Sequence, residues 1–177
     1  MVERLNSEKL EEEFLDVVDD SDTVVGKVLR SEIDCENFRK VRSVAGFIIN
    51  SKNQVWIPRR SPSKRLFPQC LDMSFAGYVK SGEDYDDAAK REMQEELHMD
   101  PENTNLIRIG KLSPGKEGVS SFIGVYLLRS DQWPSYNTSD FSGASWMSLR
   151  ELIGTIMDGE KAKSDLLILA RFLLSNL

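Results

Sequence analysis

Residues 76–99 read AGYVKSGEDYDDAAKREMQEELHM, and they place three glutamates, Glu92, Glu95 and Glu96, within five positions. The run from Asp84 to Leu97 contains neither proline nor glycine and is rich in Ala, Lys, Arg, Glu, Met and Gln, so it is expected to be a helix. At about 100° per residue, Glu92 and Glu96 fall roughly 40° apart and Glu95 roughly 60° to the other side of Glu92. Asp87, Lys90 and Gln94 form the opposite, water-facing stripe, while Tyr85, Ala88, Ala89 and Met93 surround the direction of Glu92 and Glu96. Two carboxylates thus lie on the half of the helix that faces protein. Like charges four residues apart repel, and more so when desolvated, unless a cation compensates them. Lys and Arg nearby are too few, and a hard divalent ion with a preference for oxygen ligands, Mg²⁺ or Mn²⁺, resolves the conflict. A solvated acidic face is the competing explanation, which the helix wheel disfavours.

Working outward, the chain has 177 residues, 40% of them hydrophobic, enough for one well-buried core and short for two. We read 1–13 as a polar N-terminal arm and 14–177 as a single domain. A net charge of -6 leaves no broad basic field for wrapping extended nucleic acid. The two cysteines, Cys35 and Cys70, and the absence of an apolar segment after the charged start fit free thiols in the cytoplasm, with one disulfide left open. The longest apolar runs fall far short of a bilayer span, so no membrane association is expected.

The stretches FLDVV (14–18) and VVGKVL (24–29) read as a hairpin or two edge strands, closed by a loop around Cys35 to Phe38. Val44 to Ile49 and Val55 to Ile57 read as two strands about a turn, the second delivering Arg59 and Arg60 into a loop. Asn105 to Leu112 and Val119 to Leu128 predict two more strands joined at Ser113-Pro114-Gly115. Leu149 to Met157 and Ala162 to Leu174 predict helices. The pattern is an α+β fold with a sheet of mixed direction.

Gly77, five residues, Glu83, seven residues, Arg91-Glu92-Met93, one residue, Glu95-Glu96: this spacing resembles the Nudix box. A chance match at its six fixed glycine and polar positions is roughly one in a million or rarer per start site. His98 stands where the family usually has glycine; we read it as a left-handed cap after the helix. The resemblance implies an α/β/α sandwich, a mixed central sheet flanked by helices. It implies Glu92, Glu95, Glu96 and the Gly77 carbonyl as Mg²⁺ ligands, with Mn²⁺ as a substitute, and Glu83 pairing with Arg91 to fix the loop onto the helix. It also implies metal-assisted attack of water on a small-molecule diphosphate, and a homodimer is the assembly to look for, since Nudix proteins often form them. Some members draw their base from a loop outside the box, and Glu117 is the candidate here, a surface residue being its competing description.

Most of the chain, from about Phe14 to the last helix, is similar to the branch containing isopentenyl-diphosphate isomerase and its hydrolase relatives. In WIPRRSPSKRLFP (56–68), Arg60 and Lys64 match the isomerase positions that contact the substrate diphosphate, and Arg59 thickens the cluster. The isomerase cysteine is replaced by Ala76, its histidine by Tyr78, and its later glutamate aligns with Ser121. The branch therefore implies a hydrolase, with nucleoside diphosphates or related nucleotides as favoured substrates. An isomerase-like enzyme and a non-catalytic nucleotide-sensing module are the alternatives. Phe75, Tyr78 and Trp133 are the aromatic candidates for stacking a base, and Cys70 is expected to be a buried, neutral thiol.

Overall fold

The computed structural model describes residues 13–33 and 37–177. The expected arm therefore lies outside the described residues except for Glu13, as does Cys35 of the expected loop. Strands β1 (Phe14–Val18) and β2 (Val24–Leu29) pair antiparallel as a separate hairpin. The main sheet is built from β3 (Arg42–Ile49), β4 (Gln54–Arg60), β5 (Phe75–Tyr78), β6 (Ile107–Leu112), β7 (Phe122–Arg129) and β8 (Phe141–Ser148). Its order is β6-β7-β3-β4-β8, with β3 and β7 parallel and the other pairs antiparallel, so the mixed sheet expected from sequence is present. On the edge away from β7, β3 meets β4 only at Ile49 and Val55, and β5 takes the other end of that edge through Ser43 to Gly46.

Helix α1 (Tyr85–Leu97) covers one face of the sheet, and α2 (Leu149–Met157) with α3 (Leu166–Asn176) covers the other. The two-residue period of β3 explains why both faces are apolar: Val44 and Ile48 pack with Met93 and Leu97 of α1, while Ala45, Phe47 and Ile49 pack with Leu152 and Leu169. Each of these buried side chains larger than alanine contributes about 1.5–3 kcal/mol. The result is the α/β/α sandwich.

Helix α1 begins where Asp84 accepts a hydrogen bond from the Asp87 N–H at 2.8 Å. It ends at His98, which adopts φ 52° and ψ 29° and donates its backbone N–H to the Gln94 carbonyl. The only histidine of the chain is thus a left-handed helix cap. Among the described residues no helix is long and apolar enough to cross a membrane.

Candidate active site

A cavity of about 340 Å³ is lined by β3, β5, α1, the end of β4 with the loop after it, and the segment before α3. Gly77, Arg91, Glu92, Glu95 and Glu96 line it from one side, and Arg60 and Lys64 from β4 and the loop after it. Glu92 reaches the cavity because β5 crosses α1 at Gly77, where a Cβ would overlap the Glu92 carboxylate. Glu96 is oriented by the Ala76 N–H, which donates to Oε2 at 3.0 Å. Glu95 is the exposed member of the three.

Arg91 organises the acidic side. Its Nε and Nη2 donate to the two Glu83 oxygens at 2.7 and 2.9 Å, Nη2 also to the Tyr78 carbonyl at 2.9 Å, and Nη1 to Glu92 Oε1 at 2.6 Å. Glu83 in turn accepts the Lys80 N–H at 2.9 Å. Burial pushes the Glu83 carboxyl up, but Arg91 and the Lys80 N–H outweigh it and hold the carboxyl below its usual range. Glu92 goes the other way: burial raises it despite Arg91. Glu96 is raised well above the usual range, first by burial and then by the charges of Glu92 and Asp72. Sequence reasoning found too few cations near these glutamates; the structure corrects this for Glu92, because Arg91 bends back to its own neighbour.

Among the described residues no three acidic, histidine or cysteine side chains converge into a ready-made metal cluster, and Arg91 stands between Glu92 and Glu95. The donor set nonetheless suits a divalent ion. Two carboxylates with raised proton affinity flank a strand stripped of its side chain at Gly77, and all the donors are hard oxygens.

Two expected residues are placed elsewhere. Arg59 precedes Arg60 on a strand whose successive side chains take opposite sides; it donates to the Gln69 carbonyl at 2.8 Å and Glu160 at 2.9 Å and does not line the cavity. Glu117 folds back within the loop between β6 and β7, accepting the Ser113 N–H at 2.7 Å, and that bond above all holds its carboxyl below the usual range. It too lies away from the cavity lining.

Of the aromatic candidates only Tyr78 lines the cavity, where the Arg30 guanidinium sits 5.3 Å from its ring centre and Phe38 meets it edge-on. Phe75 is fully buried against Gly46, and Trp133 packs on Trp56 and Trp146. Cys70 is a buried free thiol. Sequence reasoning missed Arg30, Phe67, Ser120, Lys163 and Asp165 in the lining. Only the fold brings these together. Asp72, a charged residue between apolar Leu71 and Met73, carried a readable signal of a buried, paired carboxylate.

Residues 39–172 match the NUDIX domain. An uncharacterized Nudix hydrolase of Nostoc is 46% identical over 164 residues, covering 93% of this chain and 97% of its own. A Nudix hydrolase of Deinococcus radiodurans is 44% identical over 160 residues, 90% of this chain and 93% of that one. A crystal structure of a D. radiodurans protein superposes with a TM-score of 0.87 at 44% identity, covering 90% of this chain and 98% of that chain. An isopentenyl-diphosphate Delta-isomerase of Paenarthrobacter aurescens is more distant, 25% identical over 77% of this chain and 76% of its own. The chain belongs to the Nudix hydrolase family, whose members cleave diphosphates of small molecules and generally use divalent metals.

Proposed function

We propose that the protein is a Mg²⁺-dependent hydrolase of small diphosphate compounds, with nucleoside diphosphates and related nucleotides as the favoured class. One observation carries the reading: a single cavity is lined by Glu92 and Glu96, carboxylates of raised proton affinity, and also by Arg60 and Lys64. Such a cavity takes a diphosphate between a cation-seeking wall and an anion-seeking one. Its volume of about 340 Å³ is that of a small-molecule site.

Glu92, Glu95, Glu96 and Gly77 would hold Mg²⁺, or Mn²⁺ in its place, which when bound neutralises phosphoryl charge and makes water a better nucleophile. Arg91 holds the Glu92 carboxylate in one orientation and is itself held by Glu83 and the Tyr78 carbonyl. Arg60 provides a planar fork and Lys64 a point charge for phosphate oxygens. Tyr78, Phe38, Leu66 and Phe67 give the organic group an aromatic and apolar surface, with Arg30 beside it.

The isomerase alternative lacks its proton-transferring groups in this cavity. Ala76 offers only a methyl group, and the Ser121 hydroxyl is hydrogen-bonded to Ser43 at 2.7 Å. Phosphate release from nucleoside di- and triphosphates, nucleotide sugars and coenzyme A compounds tests the proposal, comparing the wild type with Glu96→Gln. Mg²⁺-dependent turnover that falls at least a hundredfold in the variant supports it. Equal turnover by both proteins, or none on any compound, overturns it.

A further inference from the structure

Beside the diphosphate wall, a buried carboxylate joins two cations from distant parts of the chain. Asp72 is 2% exposed and lies behind the cavity lining. Its Oδ2 accepts from Arg60 Nη1 at 2.6 Å, and its Oδ1 lies 3.4 Å from Lys163 Nζ while accepting the Met73 N–H at 2.8 Å. Arg60 and Lys163 both line the cavity. The backbone fixes this meeting from two sides, since the Leu71 N–H donates to the Lys161 carbonyl at 2.8 Å and the Lys163 N–H to the Leu71 carbonyl at 2.9 Å.

One carboxylate set against two cations leaves this wall locally positive, with Glu96 of α1 the nearby lining carboxylate that feels both Asp72 and Lys163. Other nearby charges do not cancel this excess through direct bonds: Asp165 is engaged by the Ser120 N–H and hydroxyl, and Asp140 pairs with Lys64. A buried acidic residue between two cations costs desolvation, and both partners together offset it. The same pairing removes rotamer freedom from two long side chains before any ligand arrives.

We propose that Lys163 is a further cationic contact for the substrate phosphates, and that Asp72 is the positioning residue that presents it together with Arg60. This rests on reading the cavity as a diphosphate site. Lys163 comes from the segment between α2 and α3, so the C-terminal part of the fold completes a cationic wall begun by β4.

The test uses inorganic pyrophosphate with Mg²⁺, its binding measured by calorimetry on the wild type, Lys163→Met, Lys163→Arg and Asp72→Asn, alongside steady-state kinetics on whichever diphosphate the protein hydrolyses. Lys163→Met should weaken pyrophosphate roughly tenfold and raise KM by a similar factor, with kcat within about threefold. Lys163→Arg should restore most of the loss, and Mn²⁺ binding to the substrate-free protein should be unchanged. In Asp72→Asn, adding Lys163→Met should cost less than it does in the wild type, because the two act together. Equal pyrophosphate affinity in wild type and Lys163→Met, or a fall in kcat at constant KM, overturns the proposal. A wild type that binds pyrophosphate yet hydrolyses nothing defeats the hydrolase reading alone, and the binding comparison still decides the role of Lys163.

Discussion

Gly77 shows how a single hydrogen in place of a side chain shapes this site. The strand passes so close to α1 that any Cβ there would overlap the Glu92 carboxylate, so Glu92 occupies the volume of the missing side chain. Gly77→Ala should therefore displace Glu92 and loosen its bond to Arg91 while leaving the distant core intact. A cost of about 1–3 kcal/mol in stability is expected for such overpacking. The larger effect should be on activity: turnover should fall by about a hundredfold, and the Mg²⁺ concentration needed for half-maximal rate should rise. Urea denaturation and a Mg²⁺ titration of the rate measure both. An alanine variant with unchanged Mg²⁺ dependence would show that Glu92 acts without this close approach. Arg91 is the complementary case. It sits among Glu83, Glu92 and Glu95, so one guanidinium orders much of the acidic wall.

At the scale of elements, His98 terminates α1 at φ 52°, a conformation that costs an ordinary residue about 1 kcal/mol and glycine almost nothing. His98→Gly should raise stability by about 0.5–1 kcal/mol in urea denaturation. Turnover should be unchanged, because His98 is exposed and absent from the cavity lining. A loss of activity without a loss of stability would give the histidine a role beyond capping. This helix was legible in the sequence because composition, capping residue and apolar period agree over thirteen residues. Strand β8 was not legible: in FSGASWMS small and polar residues separate Phe141 from Trp146 and Met147 without a clear two-residue period, and the strand holds its place by pairing with β4 from Gln54 to Arg60. The final helix was expected from Ala162 but begins at Leu166, because Lys161 and Lys163 bond to Leu71 first. The same pairing hid Lys163 from a reading based on local spacing, whereas the glutamates of α1 were found because their geometry is helical and local. Arg59 was misplaced for the opposite reason: two adjacent arginines look like one cluster in sequence, yet a strand sends them to different surroundings.

Across the whole molecule, Asp22 in the turn between β1 and β2 ties the hairpin to three other elements. Its carboxylate accepts Arg42 Nε at 2.6 Å, Lys111 Nζ at 2.6 Å and the Tyr85 hydroxyl at 3.0 Å, reaching β3, β6 and the first residue of α1. The far end of the hairpin supplies Glu13 and Arg30 to the cavity lining, and β1 holds the loop before α1 through the Ser81 hydroxyl and Gly82 N–H donated to Asp16. Asp22 thus joins the stability of the hairpin to the shape of the cavity entrance. Burial pushes its carboxyl up, but the bonds from Lys111, Arg42 and Tyr85 outweigh this and leave it below its usual value. A carboxyl depressed on folding binds its proton more readily in the unfolded chain. Its stabilisation is full above the unfolded value of about 3.9 and is lost as pH falls through the lower folded value. Asp22→Asn should accordingly cost about 2 kcal/mol near neutral pH and less in acid, wild-type and variant stabilities converging as pH falls below the unfolded value and through the lower folded one. Urea titrations across that range measure the convergence. Because the hairpin carries Arg30 to the cavity, the variant should also raise KM for its diphosphate substrate several-fold with kcat nearly unchanged. A constant stability difference at every pH would remove the charge of Asp22 from the account, and an unchanged KM would separate the hairpin from substrate binding.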